Sequence, residues 1–67
     1  MKNEAIEVSY SVEVDDLTVE AITIHDAHEF RIRKGQMVLF QSDDGYGQTG
    51  LALRDGLIKA TDPSWGF

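Results

Sequence analysis

The stretch from Ala5 to Val14 alternates apolar and polar side chains, with apolar residues at Ile6, Val8, Tyr10, Val12 and Val14, and this pattern constrains the fold more than any other. Apolar groups recur at every second position, with glutamates and serines between them. A helix would scatter these groups around its axis, whereas a strand places them on one face. The pattern therefore predicts a half-buried β-strand with its five apolar side chains on one face.

A second strand is expected directly after the first. Asp15-Asp16 separates the first strand from the apolar stretch 17–24. With the two aspartates as turn residues, the register of a hairpin follows from the apolar pattern. Three pairs come together in that register: Val14 with Leu17, Val12 with Val19, and Tyr10 with Ala21.

The alternation slips in the second strand. Leu17, Val19 and Ala21 share one face, whereas Ile22 and Ile24 fall on the other. A bulge near Ala21 would return the isoleucines to the core face, and a strand covered on both sides would accommodate them unchanged. The sequence leaves both alternatives open.

Shorter elements follow. The segment His25–Glu29 is polar and predicts a turn, and Phe30–Arg33 alternates as a short third strand. Lys34-Gly35 ends that strand. The continuous apolar run Met37–Phe40 is typical of a central strand covered on both faces. Asp55-Gly56 lies between two further apolar segments, 51–54 and 57–60, and predicts a second hairpin.

No segment of the chain predicts a helix, and 67 residues suffice for one domain. We therefore expect an all-β domain spanning residues 1–67. Five or six short antiparallel strands in meander order would close into a small barrel of SH3-like or OB size. Residues 1–4 and 63–67 would be flexible or capping tails.

The segment 34–53 resembles the KOW motif of small SH3-like barrels. In that motif a lysine-glycine turn precedes a strand, and a glycine-punctuated loop leads to a second strand. The matching residues are Lys34-Gly35, Val38, Gly47, Gly50 and Leu51. The resemblance implies a barrel and, as in ribosomal proteins and transcription factors of that group, a basic loop that contacts RNA or polymerase. The loop here carries Asp43 and Asp44 and no basic residue, which weakens an RNA-binding role.

The charge balance favours partners with basic surfaces. Twelve acidic residues against six basic ones leave a net charge of −6. This charge repels nucleic-acid phosphates and anionic membranes, although acidity that only keeps a small domain soluble is the alternative. The chain has no cysteine and no apolar run of membrane-spanning length, and no hydrophobic segment follows residues 1–4. We expect a cytoplasmic protein that does not enter membranes.

Few residues suggest chemistry. His25 and His28 have metal-ligand character, but no third histidine or cysteine exists, so a solvated turn is favoured and no cofactor is expected. Asp43-Asp44 lacks the spacing of a calcium loop and is typical of a turn. The glycine loop 45–50 lacks the Lys-Ser/Thr pair of a phosphate loop, and Leu51 is expected to open a strand rather than a helix. We expect no enzymatic activity.

The candidate binding residues are of three kinds. Tyr46 is an aromatic side chain in the glycine loop, and Asp43 and Asp44 are its acidic neighbours. Trp65 and Phe67 either cap the open end of the barrel or form an exposed docking patch. Three cations, Arg31, Arg33 and Lys34, form one local basic spot on an acidic chain.

Three functions follow from these features. The first is a protein-interaction or accessory module that binds a basic partner, or itself as a homodimer, through a strand edge, the glycine loop or the aromatic tail. The second is an acidic nucleic-acid mimic, such as a phage-type inhibitor, with Glu7, Glu13 and Glu20 outward beside Asp15-Asp16. The third is a nucleic-acid-binding barrel, which the net charge disfavours, using the basic spot with Tyr46 or Phe30 as stacking groups.

Overall fold

The computed structural model describes residues 6–42 and 45–64, which form four β-strands and one helix. The strands are β1 (Ile6–Val14), β2 (Leu17–Ile24), β3 (Ala27–Lys34) and β4 (Met37–Gln41), and the helix is α1 (Thr49–Ala60). The strands form one antiparallel sheet in the order β1-β2-β3-β4. The mostly-β meander is confirmed, but the strands number four in the described residues. The sheet does not close into a barrel, since β1 and β4 are separate edges.

The first hairpin has the predicted register. Val14 pairs with Leu17, and the two further expected pairs follow it. Asp15 and Asp16 form the turn, and Asp15 has a φ of 56°, in the left-handed region that aspartate tolerates better than most residues.

The second turn is shorter than predicted. Only His25 and Asp26 lie outside the strands, and their φ values of 50° and 69° suit a two-residue hairpin turn. As a result β3 begins at Ala27, three residues earlier than the sequence indicates. The apolar run Met37–Phe40 does form a strand, but β4 is an edge rather than a central strand, and Met37 is 64% exposed.

The predicted second hairpin over residues 51–60 was wrong, because these residues lie in the helix α1. Ala52, Gly56 and Ala60 recur every four residues and lie on one side of α1, where Ala52 and Gly56 are buried. Asp55-Gly56, interpreted from the sequence as a turn, lies within the helix because Gly56 permits close contact with the sheet. A Cβ at position 56 would meet the Phe30 side chain at 3.1 Å.

The core lies between α1 and one face of the sheet. Its buried residues come from β2, β3 and α1: Leu17, Val19, Phe30, Ile32 and Ala52. The rings of Phe30 and Phe40 stack with centroids 5.5 Å apart. Among residues 6–42 and 45–64, no helix combines the length and hydropathy needed to cross a membrane.

Candidate interaction surfaces

The helix packs on one face of the sheet, and no helix or strand within residues 6–42 and 45–64 packs on the other. Directly paired residues of neighbouring strands share a face, and side chains alternate along each strand. The contacts of α1 are mostly with β2 and β3. We call the opposite side the open face. By register its residues are Ile6, Val8, Ser11, Glu13, Thr18, Glu20, Ile22, Ile24, Ala27, Glu29, Arg31, Arg33, Val38 and Gln41.

A bulge in β1 decides which apolar side chains reach the open face. The register shifts between Val8 and Tyr10, so Ser9 is an extra residue with no partner in β2. A shift of one residue moves every side chain beyond it to the other face. Tyr10 therefore lies on the helix side, whereas Val8 lies opposite Ile22 on the open face.

This bulge corrects one expectation and decides between two alternatives that the sequence left open. The five apolar side chains of β1 do not share one face, because Ser9 divides them. Ile22 and Ile24 of β2 remain on the face of the sheet that Ala21 does not occupy, since β2 pairs with β3 without any register shift. Ala21 and Ile22 point to opposite faces and are both fully buried, so β2 is buried on both faces at this point, and the bulge lies in the neighbouring strand.

The open face has an apolar patch at one end. We define the patch as Ile6, Val8, Ile22 and Ile24, which face each other in the register Ile6–Ile24 and Val8–Ile22. Ile6 and Val8 are each 44% exposed, and Ile22 beneath them is fully buried. An edge strand that exposes apolar groups beside a buried isoleucine is a candidate contact surface.

An ion-pair cluster occupies the middle of the open face. Arg31 Nε donates a hydrogen bond to Glu20 Oε1 at 2.9 Å, and Arg33 Nη2 donates one to Oε2 at 2.8 Å. Burial raises the pKa of Glu20, but the hydrogen bonds and charges of Arg33 and Arg31 lower it more, so this pKa lies below its usual value. The predicted basic spot is thus largely occupied within the sheet, and Glu20 is buried rather than directed outward.

The sequence contained a signal for this cluster. Arg31 and Arg33 are two residues apart in a strand and therefore share a face, and Glu20 shares its face with Ile22. What the sequence lacked was the register between β2 and β3, which depends on the length of the turn at His25-Asp26.

The outer edge of β1 is acidic. Glu7, Glu13 and Asp15 are exposed and make no ion pair with any residue in the described ranges. Asp16, beside them, pairs with Lys34 at 3.3 Å. We call the unpaired side of β1, with these three carboxylates, the acidic edge.

The two histidines are not placed as a metal site. His28 Nδ1 lies 3.1 Å from Thr23 Oγ1 and 3.3 Å from Thr49 Oγ1, so it connects the sheet to the first turn of α1. His25 is in the exposed β2–β3 turn. Residues 6–42 and 45–64 contain no group of three metal-ligating side chains.

The residues of the predicted glycine loop and of the aromatic tail differ in where the structure places them. Tyr46 is half-buried, with its ring centroid 6.2 Å from that of Phe30, so it packs against the core. The helix α1 begins at Thr49, includes Gly50 in its first turn and continues through Leu51, where the sequence predicted a strand. The Lys-Ser/Thr pair of a phosphate loop is still missing. Four further candidates lie outside the described residues: Asp43, Asp44, Trp65 and Phe67.

Two hollows flank the end of α1. One, of about 360 Å³, lies between the β1–β2 turn and residues 60–63. The other has a similar volume and is lined by Phe30, Tyr46, Asp55, Ile58, Lys59 and Asp62. The first hollow is lined by Thr61 and Asp62, but the Thr61 hydroxyl donates to the carbonyl oxygens of Leu57 and Ile58 rather than to a general base.

Comparison with known proteins returns no relative. No family model matches the chain, no curated protein matches it, and no solved structure matches it.

Proposed function

We propose that this protein is an interaction module that binds an extended, basic segment of a partner protein along the acidic edge. The observation that carries the proposal is the outer side of β1, a nine-residue strand that ends the sheet and pairs on that side with no strand of the described ranges. The backbone N–H and C=O groups on that side can pair with an added strand. Such pairing supplies affinity through the main chain and specificity through the side chains.

The charges of the edge favour a basic strand. Glu7 and Glu13 flank the exposed Tyr10 and have no cationic partner in the described residues. Opposite charges across a strand pair contribute about 0.2–1 kcal/mol each, and like charges are unfavourable by similar amounts. A segment that alternates apolar residues with lysine or arginine therefore suits this edge.

The same edge disfavours a second copy of the chain. In antiparallel self-pairing centred on Tyr10, Glu7 of one copy would lie opposite Glu13 of the other. The bulge at Ser9 also places apolar groups of the two halves of β1 on different faces, so the two strands would not match.

The two alternative functions have less support. An acidic nucleic-acid mimic would use Glu20, but this carboxylate is 5% exposed and engaged by two arginines. A nucleic-acid-binding surface built on Arg31 with Phe30 as a stacking group would need both on one side of the sheet. Phe30 is 2% exposed and belongs to the helix-covered face.

A titration followed by amide NMR tests the proposal. The probe is a synthetic ten-residue peptide that alternates lysine with valine, and its control replaces every lysine with glutamate. We expect the lysine peptide to shift β1 amides and slow their hydrogen exchange, with an affinity that falls as salt rises. The glutamate peptide should have no effect.

The variant Glu7→Lys separates edge binding from general attraction to an acidic protein. It should weaken binding by about fivefold, the equivalent of about 1 kcal/mol for one cross-strand charge pair. Asp55→Lys makes the same change in net charge on the helix and should leave the affinity within about twofold. Equal losses in both variants, or shifts outside β1 only, would contradict the proposal.

A further inference from the structure

The open face, unlike the acidic edge, is suited to a second copy of this chain. The apolar patch at its end joins two exposed side chains, Ile6 and Val8, to the buried Ile22. We propose that two copies pack their open faces against each other, forming a homodimer in which two four-stranded sheets lie face to face. The two helices would then be on the outside of the assembly.

Charge selects this occupant over a basic or an acidic protein. The open face carries two guanidiniums, those of Arg31 and Arg33, and three carboxylates, so its net charge is −1. The carboxylates belong to Glu13, Glu20 and Glu29. The whole chain carries −6. Two copies can therefore bring these faces together with less repulsion than two acidic edges would have.

The ion-pair cluster is compatible with such packing. Both oxygens of Glu20 already accept hydrogen bonds from arginine, and the carboxylate is buried before any second copy arrives. Covering it further leaves its oxygens satisfied, because their donors belong to the same chain.

The size of the face indicates a weak dimer. Three strands of eight or nine residues and one of five, at about 3.4 Å per residue and about 4.8 Å between strands, give a face of about 500 Å². Two such faces bury about 1,000 Å² in total, which is the lower limit for specific interfaces. The two sheets would lie about 10 Å apart, as in β-sandwiches.

Sedimentation equilibrium over a concentration series tests the dimer. We expect the apparent mass to rise from 7.5 kDa in dilute solution towards twice that value at about millimolar concentration. The association should persist at high salt, because apolar contacts are not screened. A protein that stays monomeric up to that concentration overturns the proposal without using any variant.

Two matched variants locate the interface. Val8→Glu places a charge in the apolar patch, and Tyr10→Glu places the same charge two residues away on the helix side of the same strand, where Tyr10 is 53% exposed. We expect Val8→Glu to reduce association at least tenfold and Tyr10→Glu to leave it within about threefold. Equal losses, or no loss in either variant, would place the contact elsewhere and overturn the proposal.

The dimer and the edge can fail separately. Glu7 pairs with Thr23 on the helix side of the sheet, so Glu7→Lys leaves the open face unaltered and should not change the mass. If the apparent mass rises with concentration as expected but no peptide binds, only the proposed function is contradicted. If the peptide binds to a protein that stays monomeric, only the dimer is contradicted.

Discussion

Gly56 of α1 lies directly against Val19 of β2. A Cβ at position 56 would stand 2.8 Å from Val19 Cγ1, closer than side-chain carbons approach. The helix therefore contacts the sheet through its backbone at this point. This contact requires a glycine in the middle of a helix, where glycine is otherwise unfavourable by about 1 kcal/mol relative to alanine.

The first prediction concerns Gly56→Ala. The added methyl group should force α1 away from the sheet and destabilise the protein by about 1–3 kcal/mol, despite the better helix propensity of alanine. Chemical denaturation followed by circular dichroism measures the change. Gly50→Ala is the control, since nothing lies within 4 Å of a Cβ there, and it should be neutral or slightly stabilising. A stabilised Gly56→Ala variant would contradict the close contact.

The second prediction concerns the charge of Glu20. Its side chain is 6% exposed and is engaged by Arg31 and Arg33, which are 18% and 28% exposed. Glu20→Gln keeps the shape but leaves two guanidiniums without a counter-charge. At neutral pH it should cost about 2–4 kcal/mol, somewhat less than a fully buried pair. The exposed Glu13→Gln is the control and should change stability by less than about 0.5 kcal/mol.

The third prediction is the pH dependence of that cost. The pKa of Glu20 in the folded protein is lower than its ordinary value of 4.5. Its contribution to stability is therefore complete above about pH 5 and is lost as the pH falls through the folded-state pKa. The stability difference between the wild type and Glu20→Gln should be constant from pH 5 to pH 8 and shrink below pH 4.5. A difference that grows on acidification would contradict the sign.

The fourth prediction concerns Ser42, which continues the pairing of β4 with β3. Its backbone N–H donates to Phe30 O at 3.0 Å, and its Oγ accepts from Phe30 N at 3.0 Å. Ser42→Ala removes the acceptor of a buried N–H and should cost about 1–2 kcal/mol. Ser11→Ala, on the exposed strand β1, is the matched control. Equal, small effects of the two variants would contradict this role.

The first hairpin could be predicted from sequence because its determinants are local. The alternation in β1 and the two adjacent aspartates predict two strands and their register. A two-residue turn at the aspartates pairs apolar residues of β1 with apolar residues of β2. The position of the bulge, at Ser9 of β1, could not be predicted from the sequence. The slip at Ile22 indicated an irregularity, but only the paired strands decide which of them takes the extra residue.

The helix could not be distinguished from a hairpin by local signals. Asp55-Gly56 between apolar residues favours a turn, while Ala52, Gly56 and Ala60 at intervals of four favour a helix, and both patterns are present in the same twelve residues. Contact with Val19 and Phe30 decides between them, because a helix covers the exposed apolar face of β2 and β3 and a second hairpin would have to cover it with strands.

The sequence by itself determined that this chain forms an antiparallel meander with an acidic surface, since strand periodicity, turn residues and charge are properties of neighbouring residues. The tertiary structure decided the helix, the buried Glu20 cluster and the apolar patch on the open face. Each of these depends on residues far apart in the chain coming together, and the energy of such contacts is not present in any single segment.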